Sequence, residues 1–158
     1  RSESGGEGYY KDEALTAETR RGDYLTVGDL GRIDDEGLLW FTGRKRDIIK
    51  SGGINVYAPE IEEALASHPE IAEAHCIGLP DPRWTEAICA VIVPAPGARL
   101  TAADVIAHAE AGLDRYKRPR RVVFMAAVPR NLTGRVLKSE LKGMVLALPG
   151  FRTLMWGW

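Results

Sequence analysis

Apolar residues along this chain come in short continuous runs and in helical stripes, divided by Gly and Pro. Residues 71–79 and 86–94 are apolar and rich in β-branched side chains, which predicts two core strands. The segment between them, Pro80-Asp81-Pro82-Arg83-Trp84-Thr85, reads as a loop. Nearer the N-terminus, Arg32-Ile33-Asp34 and Leu38-Leu39-Trp40-Phe41 flank the acidic turn Asp35-Glu36-Gly37, the pattern of a β-hairpin. Ile48-Ile49-Lys50 and Ile54-Asn55-Val56 read as a second strand pair turning at Ser51-Gly52-Gly53, and Val122-Val123-Phe124 as a further short strand.

Helical signals follow. Pro59 suits a first helical turn, Glu60, Glu62 and Glu63 favour the positive end of the helix dipole, and Ile61, Ala64 and Leu65 form one buried stripe. That helix should stop near His68, because the residue before a proline is driven out of the helical region. Thr101 with Asp104 three residues later resembles a capping box opening a helix over 102–113. A last helix is expected from Lys138 to Leu146. No internal repeat is present. Strands and helices interleave, so the expected class is α+β: a small mixed β-sheet flanked by helices and preceded by a β-hairpin.

Composition bounds the function. A chain of 158 residues, 45% hydrophobic and 27% charged, has the make-up of a soluble globular domain, with room for part of another. Its 21 basic and 22 acidic side chains leave a net charge of −1, which argues against a general nucleic-acid or membrane binder. No signal peptide and no apolar run of bilayer-spanning length is present, so a cytoplasmic protein without a membrane span is the default expectation. Cys76 and Cys89 sit inside apolar stretches without metal-ligand spacing, so they read as buried reduced thiols and no metal site is expected. Arg1 to Gly8 is rich in Gly, Ser and Glu and starts without Met, as an internal piece of a longer protein would.

Some residues carry chemistry by type and placement. Asp29 follows Gly28 on a turn, and a carboxylate can accept both hydroxyls of a ribose, although an Asp that simply makes the turn is the commoner reading of an isolated Gly-Asp. Gly43-Arg44-Lys45-Arg46-Asp47 is a solvated basic turn or a hinge between units. Ser51-Gly52-Gly53 lets backbone approach a ligand closely, although a plain tight hairpin explains it equally well. From Arg115 to Arg121, five of seven positions are basic around Tyr116. Such a run is a solvated face, or a grip for a phosphate-bearing nucleotide whose base stacks on an aromatic ring.

The order of these segments is recognisable. Gly28-Asp29-Leu30, then Gly43-Arg44-Lys45-Arg46-Asp47-Ile48-Ile49-Lys50-Ser51-Gly52-Gly53-Ile54-Asn55-Val56-Tyr57, then Pro59-Glu60-Ile61-Glu62 come in sequence. Gly78-Leu79-Pro80-Asp81, Tyr116-Lys117-Arg118-Pro119 and Pro129-Arg130-Asn131-Leu132-Thr133-Gly134 follow. Together they resemble the core motifs of the superfamily of acyl-CoA synthetases, peptide-synthetase adenylation domains and luciferases. The resemblance implies that residues 1–45 trail from a large N-terminal domain, to which the expected hairpin belongs, and that residues 46–158 form a mobile C-terminal lid. It implies ATP, with Mg supplied at the large domain, a carboxylic acid substrate and CoA. The reaction would pass through an acyl-adenylate to a thioester, releasing pyrophosphate and AMP. The lid's partner would be its own large domain, and the isolated fragment should catalyse neither step.

The same resemblance implies residue roles. Asp29 and Arg44 would hold the ribose of ATP, and Arg46 would be the hinge whose φ and ψ change as the lid rotates. Ser51, Gly52 and Gly53 would line the pantetheine tunnel, and Trp84, Tyr116, Arg118 and Arg120 the nucleotide end of CoA. For Trp84 and Tyr116 a packing role is the alternative. Lys50 matches a position from which luciferase-like members present a second catalytic lysine, against the equal alternative of an exposed strand lysine.

Two positions depart from the pattern. Val27 stands where the family usually has Thr. Arg135 follows Gly134 where the family carries the catalytic lysine that stabilises charge building in the adenylation transition state. Arg keeps the charge but is planar and bulkier than an ammonium, so adenylation should be slowed by more than about tenfold, ~1.4 kcal/mol of barrier, with thioester formation less affected. Lys138 matches a surface helix position and is not expected to replace it. Two rivals remain: an adenylation domain loading a carrier-protein thiol, against which Gly52-Gly53-Ile54-Asn55 speaks, and a non-catalytic ligase-derived binding module. The tail from Phe151 to Trp158 does not resemble the family; it reads equally as an apolar cover, a partner contact or expression-derived sequence.

Overall fold

The computed structural model of this chain describes residues 8–149 except Asp23 and Val27. The expectations concerning Val27, the first seven residues and the Phe151–Trp158 tail therefore lie outside the described residues. Two compact units are present, Arg1–Arg46 and Asp47–Trp158. The chain passes from one to the other within a 3-10 turn, Lys45–Asp47.

In the first unit, helix α1 (Glu13–Thr19) is capped by Asp12, whose side chain accepts from the Leu15 amide. It has no buried residue, which explains why no apolar stripe announces it. Strands β1 (Arg20–Arg21) and β2 (Tyr24–Leu25) form a short antiparallel pair. The expected hairpin is present as β3 (Asp29–Ile33) and β4 (Leu39–Arg44). Asp34 builds its turn: one carboxylate oxygen accepts from the Glu36 and Leu38 amides, the other from the Trp40 indole. Gly31 is required opposite, because a Cβ there would lie 2.8 Å from the Trp40 carbonyl oxygen.

The second unit is a five-stranded sheet with helices on both faces. Strands β5 (Ile48–Ser51) and β6 (Ile54–Tyr57) lead into α2 (Ala58–Ala66). The long hairpin β7 (Ile71–Asp81) and β8 (Thr85–Pro94) follows, then α3 (Ala102–Gly112), β9 (Arg121–Phe124) and α4 (Lys138–Leu146). The order is β6-β5-β8-β7, and β9 joins β8 as a parallel neighbour, which makes the sheet mixed. Ile88, Ala90 and Ile92 face α2 and α3, packing on Ile61, Leu65 and Val105. Cys89 and Val91 face the other side, against Leu141 and Val145 of α4. Two covered faces are the reason β8 reads as an unbroken apolar run. Thr101 and Asp104 form the capping box, and the Thr101 hydroxyl holds the Asp104 carboxyl below its ordinary range.

The loop expected over residues 80–85 is shorter than the sequence implies. Asp81 pairs with Thr85, and one Asp81 carboxylate oxygen accepts from the Arg83 and Trp84 amides at 2.9 and 3.0 Å. The turn closes with Thr85 at a φ of 66°, where an L side chain is uncommon. Lys138 also differs from expectation: its side chain is only 22% exposed. Its ammonium donates to Glu62 at 2.7 Å and to the Cys76 carbonyl at 3.3 Å, while Glu62 accepts from the Cys76 amide at 2.7 Å. A cross-link between α2 and α4 thus covers the backbone of edge strand β7. Both cysteines are free and buried; burial pushes the Cys76 thiol well up and the Cys89 thiol up to about 12. Among the described residues, no helix is long and apolar enough to cross a membrane.

Candidate functional site

The densest concentration of site chemistry lies where two turns of the sheet meet. The Gly52 amide donates to the Trp84 carbonyl at 2.8 Å, tying the β5–β6 turn to the β7–β8 turn. Gly52 has a φ of 60°, and a Cβ there would sit 2.8 Å from the Trp84 ring, so only glycine lets the indole settle on this backbone. Ser51, 5% exposed, pairs with Thr85 and continues the same junction. The Arg120 guanidinium lies 3.9 Å from the Trp84 ring centroid and that of Arg83 lies 5.2 Å away. Those distances are those of cation–π stacking. Arg120 is itself anchored by its amide, which donates to the Ile88 carbonyl at 2.9 Å.

A cavity of about 530 Å³ opens here, lined by Arg83, Trp84, Ile106, Arg115, Arg118 and Arg120 among others. It combines an aromatic face, an apolar wall and several guanidinium forks, a donor set suited to a base with phosphates attached. Arg118 is already engaged: it donates to the Leu113 and Glu110 carbonyls at 3.0 and 3.2 Å and faces the Glu110 carboxylate at 3.5 Å. It therefore also closes the C-terminal end of α3. Tyr116, 42% exposed, does not line the cavity. Its neighbour Lys117 pairs with Glu60 and Asp114, and the Glu60 hydrogen bond raises the Lys117 ammonium above its ordinary range. Of the residues expected at the nucleotide end of CoA, Trp84, Arg118 and Arg120 line this one cavity, and Tyr116 stands apart. Arg83 and Arg115 were not singled out from sequence, although Arg83 adjoins Trp84 and Arg115 opens the basic run.

The other expected residues are dispersed. Lys50 is exposed on β5, with its amide donating to Glu86 at 2.9 Å. Arg135 is exposed after a turn in which Gly134 takes a φ of 82° and its amide donates to the Asn131 carbonyl at 2.9 Å. Gly53 shares the left-handed geometry of Gly52, with a φ of 82°. In the first unit, Asp29 and Arg44 are cross-strand partners on β3 and β4, joined by an Arg44 Nε to Asp29 Oδ1 ion pair of 3.0 Å. Arg46 is exposed in the 3-10 turn. Lys138 is held by the Glu62 carboxylate and the Cys76 carbonyl.

Residues 60–135 match the family described as AMP-binding enzyme C-terminal domain. The chain is 40% identical over 137 residues to an indoleacetate–CoA ligase of Aromatoleum aromaticum, covering 87% of this chain and 27% of that protein. It is 38% identical over 138 residues to a 2-succinylbenzoate–CoA ligase of Bacillus cereus, covering 87% and 28% respectively. Among solved structures it superposes on ATP-bound MatB from Rhodopseudomonas palustris with a TM-score of 0.81 at 34% identity, covering 89% of this chain and 28% of that one. Amide bond synthetase McbA from Marinactinospora thermotolerans gives a TM-score of 0.75 at 35% identity, covering 87% and 28%. The chain thus spans just over a quarter of the length of the relatives it matches. With its sheet, its motifs and these likenesses in agreement, the chain belongs to the adenylate-forming AMP-binding enzymes and carries their C-terminal domain.

Proposed function

We propose that this chain is the C-terminal lid, with the trailing segment of the large domain, of an ATP-dependent carboxylate–CoA ligase. Residues 1–45 belong to the large domain and residues 46–158 to the lid, which turns about Arg46. A carboxylate oxygen attacks the α-phosphorus of ATP and pyrophosphate leaves; the CoA thiol then attacks the acyl carbon and AMP leaves. Asp29 and Arg44 hold the ribose during the first step. Arg135, from the lid, offers its positive charge to the α-phosphate and carboxylate, with Lys50 as a second cation from β5. For the second step, Ser51, Gly52 and Gly53 form a tunnel wall, and the CoA nucleotide lies against Trp84 with Arg120, Arg118, Arg83 and Arg115 around its phosphates. Tyr116 stands at the edge of this end, outside the cavity lining. ATP and CoA are the cosubstrates, Mg is supplied at the large domain, and the acid is an aryl or acyl carboxylate. Two buried thiols accord with a reducing, cytoplasmic setting.

The observation carrying this reading is the stack of Trp84 with Arg120 and Arg83 beside the Gly52 turn. The likeness to an amide bond synthetase supports a second reading, in which an amine takes the acyl group. An amine acceptor has no phosphates to neutralise, so the guanidinium-lined cavity favours CoA. The test compares CoA with pantetheine, which lacks the nucleotide, in the full-length protein. Trp84→Ala and Arg120→Ala should raise KM for CoA about tenfold or more, the loss of one stack or one phosphate contact, and leave KM for pantetheine unchanged. Equal effects on both acceptors, or none on CoA, would contradict the site.

A further inference from the structure

The exposed residue Arg135 sits on a loop braced more firmly than its surface position requires. The side-chain oxygen Asn131 Oδ1 accepts three hydrogen bonds, from the Thr133 amide at 3.1 Å, the Thr133 hydroxyl at 2.8 Å and the Arg135 amide at 2.8 Å. Two of these donors are backbone N–H groups, so the atom facing them has to be the oxygen of the carboxamide. The Asn131 amide returns a bond to the Arg135 carbonyl at 2.9 Å, so both backbone groups of Arg135 are held by one residue.

A second brace comes from the sheet. Arg130 donates through one nitrogen to the Gly134 carbonyl at 2.8 Å and through the other to Glu73 Oε2 on β7. The same Glu73 oxygen lies 2.9 Å from His75 Nε2, whose side chain is 16% exposed. The His75 and Arg130 contacts hold the Glu73 carboxyl below its ordinary range, as expected of an acceptor loaded with donors. The strut therefore runs from strand β7 through Glu73 and Arg130 to the residue immediately before Arg135.

We infer that Asn131, backed by the Glu73–Arg130 strut, is the positioning residue that fixes where the Arg135 guanidinium can reach. A long, exposed side chain on a mobile loop would sample many sites, whereas one whose own amide and carbonyl are both tied has its Cα–Cβ direction set. The inference deepens the ligase reading and rests on it for the duty of Arg135, but the bracing itself is independent of any activity.

Amide hydrogen exchange at Arg135 in the chain decides the bracing. Asn131→Ala should accelerate it by about tenfold or more, because its acceptor is gone and the turn opens locally. Asn131→Asp keeps the accepting oxygen and should leave exchange near its original rate. Glu73→Ala, at the far end of the strut, should accelerate it as well and decides the matter if Asn131→Ala fails to fold. Unchanged exchange in Asn131→Ala and Glu73→Ala overturns the inference. In the full-length protein, Asn131→Ala should lower kcat for pyrophosphate release with little change in KM. In a protein already carrying Arg135→Ala it should lower it no further, since a residue acting only through Arg135 has nothing left to position. Additive losses overturn the inference. An unaltered full-length protein that releases no pyrophosphate would sink the ligase reading and leave the exchange result standing.

Discussion

Two single residues, Arg135 and Glu73, make distinct predictions. Arg135 stands exposed on a braced turn, and Lys138 is spent on Glu62 and the β7 edge, so no lysine of this loop can take over. Arg135→Lys in the full-length protein should therefore raise the rate of pyrophosphate release by about tenfold or more and change the thioester step less, as measured by single-turnover kinetics of each half-reaction. An unchanged first step would mean that this position does not govern adenylation. Glu73 makes a pH prediction. Its folded pKa lies below the ordinary 4.5, so the stability it contributes is complete above that value and is lost as the pH falls through the folded pKa. Its side chain is 37% exposed, and solvent screens the contribution to under about 1 kcal/mol. Melting curves should place Glu73→Gln below the unaltered chain at pH 7, and the gap should close under acid conditions.

At the scale of elements, the sequence was legible wherever burial imposed a period. The β7 and β8 runs, the Ile61–Ala64–Leu65 stripe and the Thr101–Asp104 cap correspond to elements within a few residues of their expected ends. Helix α1 was not legible because it buries nothing, and the tightness of the β7–β8 turn was not because it depends on Asp81 accepting two amides. The site divides in the same way. Gly52, Trp84 and Arg120 carry residue types that signal a ligand, but their meeting depends on the Ser51–Thr85 register, which no local pattern encodes. Arg83 is not legible in the sequence because nothing local separates an arginine that lines a cavity from a solvated one. The elements also differ in what they can lose. Leu65 is fully buried between α2 and the sheet, so Leu65→Ala should cost about 2–5 kcal/mol in denaturant unfolding. A cost below about 1 kcal/mol would mean that the α2 face is not the core.

Across the whole molecule, the buried hydrophobic clusters among the described residues belong to the second unit. The hairpin of the first unit presents Ile33, Leu39 and Phe41 at 71%, 74% and 67% exposure. Large apolar side chains exposed together mark a surface that is covered in its working context. On the division proposed above, that cover would be the rest of the large domain. The decisive experiment supplies the full-length protein with ATP, Mg and a panel of aryl and acyl carboxylates, with and without CoA. With an accepted acid, AMP and a CoA thioester should form in equal amounts, with sustained AMP release only when CoA is present. AMP release independent of CoA, or an amide in place of the thioester when an amine is supplied alongside CoA, would contradict the CoA ligase reading.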